Sequence, residues 1–216
     1  MPFTLLMPLS LARRALLEAI GTATLAFASV RLGHSGFGPL EQAWAIGLTL
    51  CLLIHLMGRL CGAHFNPAVT LLLNQQRFGW RGLLRGQGLR ETGAYWLAQV
   101  LAAVAVFRLD PLATVPPPFT AAAIVPELIF SMALYGLILV WSHEGKICPF
   151  AQPLSGVVIG LALVALVVLG GLSGSGLYNP AIAAGLISHG GGGVLPMIGA
   201  QLLAVVLVLL LQSPER

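Results

Sequence analysis

The sequence predicts an all-α membrane protein of six transmembrane helices and two re-entrant half-helices, arranged as an inverted repeat. Three observations carry that expectation. Apolar residues make up 57% of the chain and charged ones only 8%; the mean hydropathy is +0.92; and the triplet Asn-Pro-Ala occurs twice, each time behind a glycine-rich run. Such a composition lies far outside that of a soluble domain.

Six apolar segments follow one another at residues 14–30, 43–60, 94–107, 121–141, 157–172 and 194–211. With their flanks, each approaches the ~20 helical residues that a hydrocarbon core of ~30 Å requires. Helices are expected because lipid offers no partner to an unpaired backbone group. The connections are short, so residues 1–216 read as a single transmembrane domain with nothing left for a separate soluble one.

The opening stretch MPFTLLMPLSLARR has its basic pair after the apolar run and no small-residue cleavage region, so it reads as an anchor rather than a secretory signal. Arg13, Arg14, Arg77, Arg81, Arg85, Arg90, Lys146 and Arg216 fall where six spans place the inside, and only Arg31 and Arg108 fall outside. This asymmetry predicts both termini in the cytoplasm, in a cell (inner) membrane, and accounts for the net charge of +4 without nucleic acid. Cys51, Cys61 and Cys148 show no C-x-x-C spacing, and no His, Cys or Asp pair is read at a helical ligand spacing. No metal and no cofactor are expected.

The chain repeats itself. EAIGTATL from Glu18 and ELIFSMAL from Glu127 share an acid, an isoleucine, a hydroxyl and a leucine in register; GLTL at Gly47 and GLAL at Gly160 each begin 19 residues before a triplet asparagine; AQVLAAVAV from Ala98 and AQLLAVVLV from Ala200 match after it. The halves, about 13–109 and 120–212, hold three spans each, an odd number, so they insert with opposite orientation. The connection after the first triplet is longer, 33 residues from Asn66 to Gln99 against 22 from Asn179 to Gln201, and its excess holds most of the basic loop.

In each triplet, Asn is a good N-cap and Pro suits the first helical position, where its missing N–H costs nothing. The apolar runs that follow Asn66-Pro67-Ala68 and Asn179-Pro180-Ala181 extend about nine residues, roughly 13 Å at ~1.5 Å per residue and under half a membrane. Two such half-helices from opposed repeats would meet near the midplane. Their glycine-rich lead-ins would be re-entrant backbone, tolerated only where it lines a watery path.

Paired Asn-Pro-Ala boxes in inverted repeats, each preceded by a span that opens with Glu, resemble the aquaporin and glycerol-facilitator (major intrinsic protein) family over nearly the whole chain. The resemblance implies a pore through each subunit of a homotetramer, with Asn66 and Asn179 offering N–H groups to single-file water or small neutral solutes, and carbonyls of the lead-ins as acceptors. It implies that Glu18 and Glu127 are buried acids that hold the re-entrant loops, and that His64 packs near the pore's inner half. Facing helix N-termini would disfavour cations and protons.

The family's polar constriction maps to Ile46, Val167, Gly176 and Ile182. An arginine usually stands where Ile182 does, and glycerol facilitators usually carry an acid where Ala183 does. An aliphatic ring of this kind implies an outer constriction that is wider or less polar than that of a strict water channel. The expected cargo is therefore water, glycerol, urea, ammonia or undissociated metalloid acids. Two other classes compete. A coupled secondary transporter also uses inverted repeats and broken helices, and needs Glu18 or Glu127 to titrate. A rhomboid-like serine protease would use Ser173 in GLSG, but His189 lies only 16 residues on and the one aspartate, Asp110, lies outside the spans.

Overall fold

The computed structural model describes residues 9–113, 120–147 and 151–212. Cys148, Arg216, the side chain of Lys146 and the residues before Leu9 lie outside the described residues. Eight α-helices make up the described fold: α1 (Leu11–Gly33), α2 (Pro39–Cys61), α3 (Pro67–Leu83), α4 (Gly86–Leu109), α5 (Ile124–Ile147), α6 (Ala151–Leu172), α7 (Pro180–Ser188) and α8 (Leu195–Leu211). Short 3-10 turns, Ala121–Ala123 and Gly192–Val194, precede α5 and α8, and there is no strand among the described residues.

Local chemistry sets the boundaries. The Ser10 hydroxyl accepts from Arg13 N at the start of α1. Pro39 opens α2, and Gly62, with φ 100°, ends it and turns the chain back into the bundle. By length and composition, α1, α2, α4, residues Ala121–Ser142 and residues Leu154–Leu172 can each cross a membrane. The sixth segment is shorter than its flanks suggest, because α8 stops at Leu211 after 17 residues, near the lower limit for a span.

Helix α1 packs on α4, α5 on α8, and α2 on α6. The α2 and α6 backbones come together at the two glycines matched in the repeat: a Cβ added to Gly47 would lie 2.6 Å from Gly160 O, and one added to Gly160 2.6 Å from Gly47 O. One buried cluster joins Leu72 of α3 to Tyr135 of α5 and Val205 of α8. A second joins Ala183 and Leu186 of α7 to Ala26 of α1 and Phe107 of α4. The large apolar side chains left exposed stand on the outer face. On α2 they are Leu40, Trp44, Leu48, Leu52 and Leu56, a stripe at every fourth residue suited to lipid.

Helix α7 has the nine residues expected of a half-helix. Helix α3 does not: it runs unbroken to Phe78 before the backbone departs at Gly79 (φ 64°, ψ 172°). Its polar extension is held by the neighbouring helices. Asn74 Nδ2 donates to Thr92 Oγ1 (2.9 Å), Gln76 Nε2 to Gln212 Oε1 (2.8 Å), and Arg77 Nη1 lies 2.9 Å from Glu91 Oε1. The apolar run marked where α3 leaves the hydrophobic interior, not where the helix stops.

Candidate pore

Each triplet caps its own helix. Asn66 is extended (φ −157°, ψ 121°) and its Oδ1 accepts from Ala68 N (2.8 Å) and Val69 N (3.4 Å). Asn179 Oδ1 accepts from Ala181 N (2.9 Å). Pro67 and Pro180 are the first helical residues, and Ala68 and Ala181 are fully buried behind the caps.

The amide nitrogens face the other way. Asn66 Nδ2 donates to Tyr178 O (2.7 Å) and Asn179 Nδ2 to Phe65 O (2.8 Å), so each asparagine is tied to the residue that precedes the other. These two bonds place the N-termini of α3 and α7 tip to tip. An amide carries two N–H groups, so one on each asparagine is left for a third partner.

The backbone leading into each cap is strained. Ala63, Phe65 and Tyr178 adopt left-handed conformations with φ of 52°, 49° and 48°, costing on the order of 1–3 kcal/mol each for a side-chain-bearing residue. Two carboxylates hold it. Glu18 Oε1 accepts from His64 N (3.0 Å), and its Oε2 from Phe65 N (2.6 Å) and Gln99 Nε2 (2.9 Å). Glu127 Oε2 accepts from Gly176 N (2.8 Å) and Leu177 N (3.2 Å), and its Oε1 from Tyr178 N (2.7 Å) and Gln201 Nε2 (2.6 Å). Both acids are fully buried. A buried carboxylate needs such donors, and a loop whose N–H groups all point one way needs such an acceptor.

Gln99 and Gln201 were not singled out from the sequence, although the signal was there: they are the glutamines of the matched AQVL and AQLL runs. Each lets its acid reach one donor more than the loop supplies. Tyr135 is a further addition, its hydroxyl donating to Tyr178 O at 2.9 Å.

One cavity of about 360 Å³ passes between the caps. His34, at the C-terminal end of α1, stands at one end, and Trp141, Ser142 and Ser155, where α5 ends and α6 begins, line the other. Asn66, Asn179, His64 and the backbone bearing Phe65 and Tyr178 border its middle. His64 Nδ1 lies 3.2 Å from Thr70 Oγ1, and its ring meets Tyr95 edge-on at 5.3 Å. Ile46 from α2, Val167 from α6, Gly176 from the lead-in and Ile182 from α7 all border the same cavity. Glu18 and Glu127 do not; they stand behind its wall. Apart from the two histidines, no acidic or basic side chain lines it among the described residues.

The competing arrangements are not assembled. Ser173 Oγ donates to Leu169 O in the last turn of α6 (3.2 Å), and Asp110 pairs with Arg31 (3.0 Å). Cys51 and His55 do stand one turn apart on α2, a spacing overlooked in the sequence, with His55 Nδ1 2.7 Å from Cys51 O and 3.7 Å from its Sγ. Two such groups do not make a site: among the described residues no cluster of three or more His, Cys, Asp or Glu side chains could hold a metal.

The sequence profile of the Major intrinsic protein family matches residues 7–206. The chain belongs to that family. The resemblance read from the two boxes therefore holds, and with it the reading of an integral, multi-pass membrane protein of a family of channels. Among its relatives are putative aquaporin NIP4-1 of Arabidopsis thaliana, 28% identical over 83% of this chain and 67% of its own length, and probable aquaporin NIP4-2 of the same plant, 29% identical over 81% and 64%. Aquaglyceroporin AqpS of Rhizobium meliloti (strain 1021) is 35% identical over 50% of this chain and 46% of its own length. The chain thus spans about two thirds or less of the length of these relatives.

Proposed function

We propose that this major intrinsic protein is a passive transmembrane channel for water and small uncharged solutes such as glycerol, urea, ammonia or undissociated metalloid acids. The cavity running past two opposed asparagine caps, with neither carboxylate on its wall, carries the reading. Asn66 and Asn179 each offer one N–H to a passing solute, and the carbonyls held out by the strained lead-ins accept from it. Two helix N-termini meeting tip to tip put positive dipole ends at that point and disfavour cations.

Ile46, Val167, Gly176 and Ile182 form the outer constriction in this reading. Their aliphatic character offers no donor to water and leaves room for a larger neutral molecule, in keeping with a relative named an aquaglyceroporin. Glu18 and Glu127 serve as loop supports, since every carboxylate oxygen already accepts at least one hydrogen bond. The halves 13–109 and 120–212 are inverted repeats inserted with both termini in the cytoplasm, and the assembly is a homotetramer with a pore in each subunit.

Flux into proteoliposomes with and without an imposed pH gradient tests the passive reading. For glycerol and urea, which do not titrate, entry that equilibrates and is indifferent to the gradient is expected. Accumulation against the solute gradient would instead mean a coupled transporter.

A further inference from the structure

The segment at the end of α3 carries more than a connection requires. Between Gly79, where α3 breaks, and the first turns of α4, residues 80–90 read WRGLLRGQGLR. The segment is folded on itself. Leu84 N donates to Trp80 O (3.2 Å) and Arg85 N to Gly82 O (3.3 Å); Leu83 is buried; and Gly88 lies so close to the Gly82 carbonyl that a Cβ there would overlap it. From this platform Trp80 (49% exposed), Leu84 (68%) and Leu89 (52%) stand clear, interleaved with exposed Arg81, Arg85 and Arg90. None of these three arginines has a carboxylate partner among the described residues, whereas Arg14 and Arg77 nearby both bind Glu91.

Position narrows what this surface meets. It joins α3 to α4, a helix long and apolar enough to cross a membrane, so it lies at the membrane boundary. The Arg14–Glu91 contact puts the start of α1 at this end, and the Tyr95 hydroxyl bond to Cys61 O puts the end of α2 there. Exposed Arg13 and Arg59 therefore join the patch. At the opposite end Arg31 is paired with Asp110, and Arg108 has no carboxylate partner among the described residues.

We propose that residues 80–90 bind anionic phospholipid in the leaflet they face. Trp80, Leu84 and Leu89 seat at the acyl boundary, and the guanidinium groups of Arg81, Arg85 and Arg90 hold headgroup phosphates. A topology signal needs only the positive charge. It does not need a folded platform or exposed aromatic and aliphatic side chains between the arginines. A soluble acidic partner would not call for those side chains at the depth of the membrane boundary.

The test uses the full chain extracted from vesicles of phosphatidylcholine mixed with phosphatidylglycerol, with retained lipid measured by mass spectrometry. The wild type should retain phosphatidylglycerol preferentially, and added salt should weaken that preference. The triple variant R81Q/R85Q/R90Q should lose it by roughly tenfold or more, since each arginine near an anionic surface contributes about a fivefold preference. R108Q should retain it. Equal retention of the two lipids by the wild type, or a salt-insensitive preference, overturns the proposal without recourse to any variant. A preference unchanged in the triple variant, or lost equally in R108Q, overturns it too. Displacement by soluble glycerol phosphate at matched phosphate concentration would show a site for free anions and not for a leaflet.

Discussion

Asn66 donates its side-chain N–H to the carbonyl of Tyr178, and Asn179 returns the same bond to Phe65, so α3 and α7 are held tip to tip by a reciprocal pair of hydrogen bonds. Tyr178 O has a second donor in Tyr135, whereas among the described residues no other donor reaches Phe65 O. Asn66→Ala and Asn179→Ala should each cost about 2 kcal/mol, from a lost N-cap and a lost buried bond. The double variant should cost less than the sum, because either change alone parts the tips. Unfolding in detergent measures this, and strict additivity would mean that the caps act independently.

The two buried acids differ in load. Glu127 accepts from three backbone N–H groups and Gln201, and Glu18 from two and Gln99. Replacing either by Gln turns one acceptor into a donor facing a donor, at a cost of about 1–3 kcal/mol for each N–H left unpaired. Glu127→Gln should therefore destabilise more than Glu18→Gln and lower conductance, since Tyr178 at φ 48° loses its restraint. Equal melting temperatures for the two variants would contradict that ordering.

Much of this was legible before the structure. The caps, the helix starts and the apolar spans are local features, set by Asn, Pro and hydrophobic runs within a few residues. The repeat brought out Glu18 and Glu127 because it aligned them. What stayed hidden is long-range. The bonds from Glu18 to Phe65 and from Asn66 to Tyr178 cross 47 and 112 residues, and no local pattern encodes them. The left-handed turns at Ala63, Phe65 and Tyr178 stayed hidden for the same reason, because those residue types disfavour the conformation and only distant carboxylates enforce it. The extension of α3 to Phe78 rests on Thr92, Glu91 and Gln212, side chains that only the fold brings near.

Gly21 is a close-approach glycine, because any Cβ there would overlap the Phe65 ring. Gly21→Ala should destabilise by about 1–3 kcal/mol, as overpacking in a buried contact does, and slow conduction by displacing Phe65 O. Gly93 on α4 has open space around the same position, so Gly93→Ala should leave stability unchanged or raise it by up to about 1 kcal/mol through helix propensity. Thermal unfolding of the two variants side by side should show a lowered midpoint for Gly21→Ala alone.

Ile182 follows the second box and borders the cavity beside Asn179. Ile182→Arg would place a cation and five donors where the wall is aliphatic. Glycerol and urea flux should fall severalfold while water is affected less. Glycerol and urea flux unchanged in a variant that folds normally would remove Ile182 from the constriction.

Stopped-flow light scattering of proteoliposomes, comparing glycerol, urea, ammonia and water with protein-free vesicles of the same lipid, tests the central claim most directly. The account predicts passive, non-saturating entry of at least one small uncharged solute well above the lipid background. Permeabilities equal to those of empty vesicles for all four would contradict it.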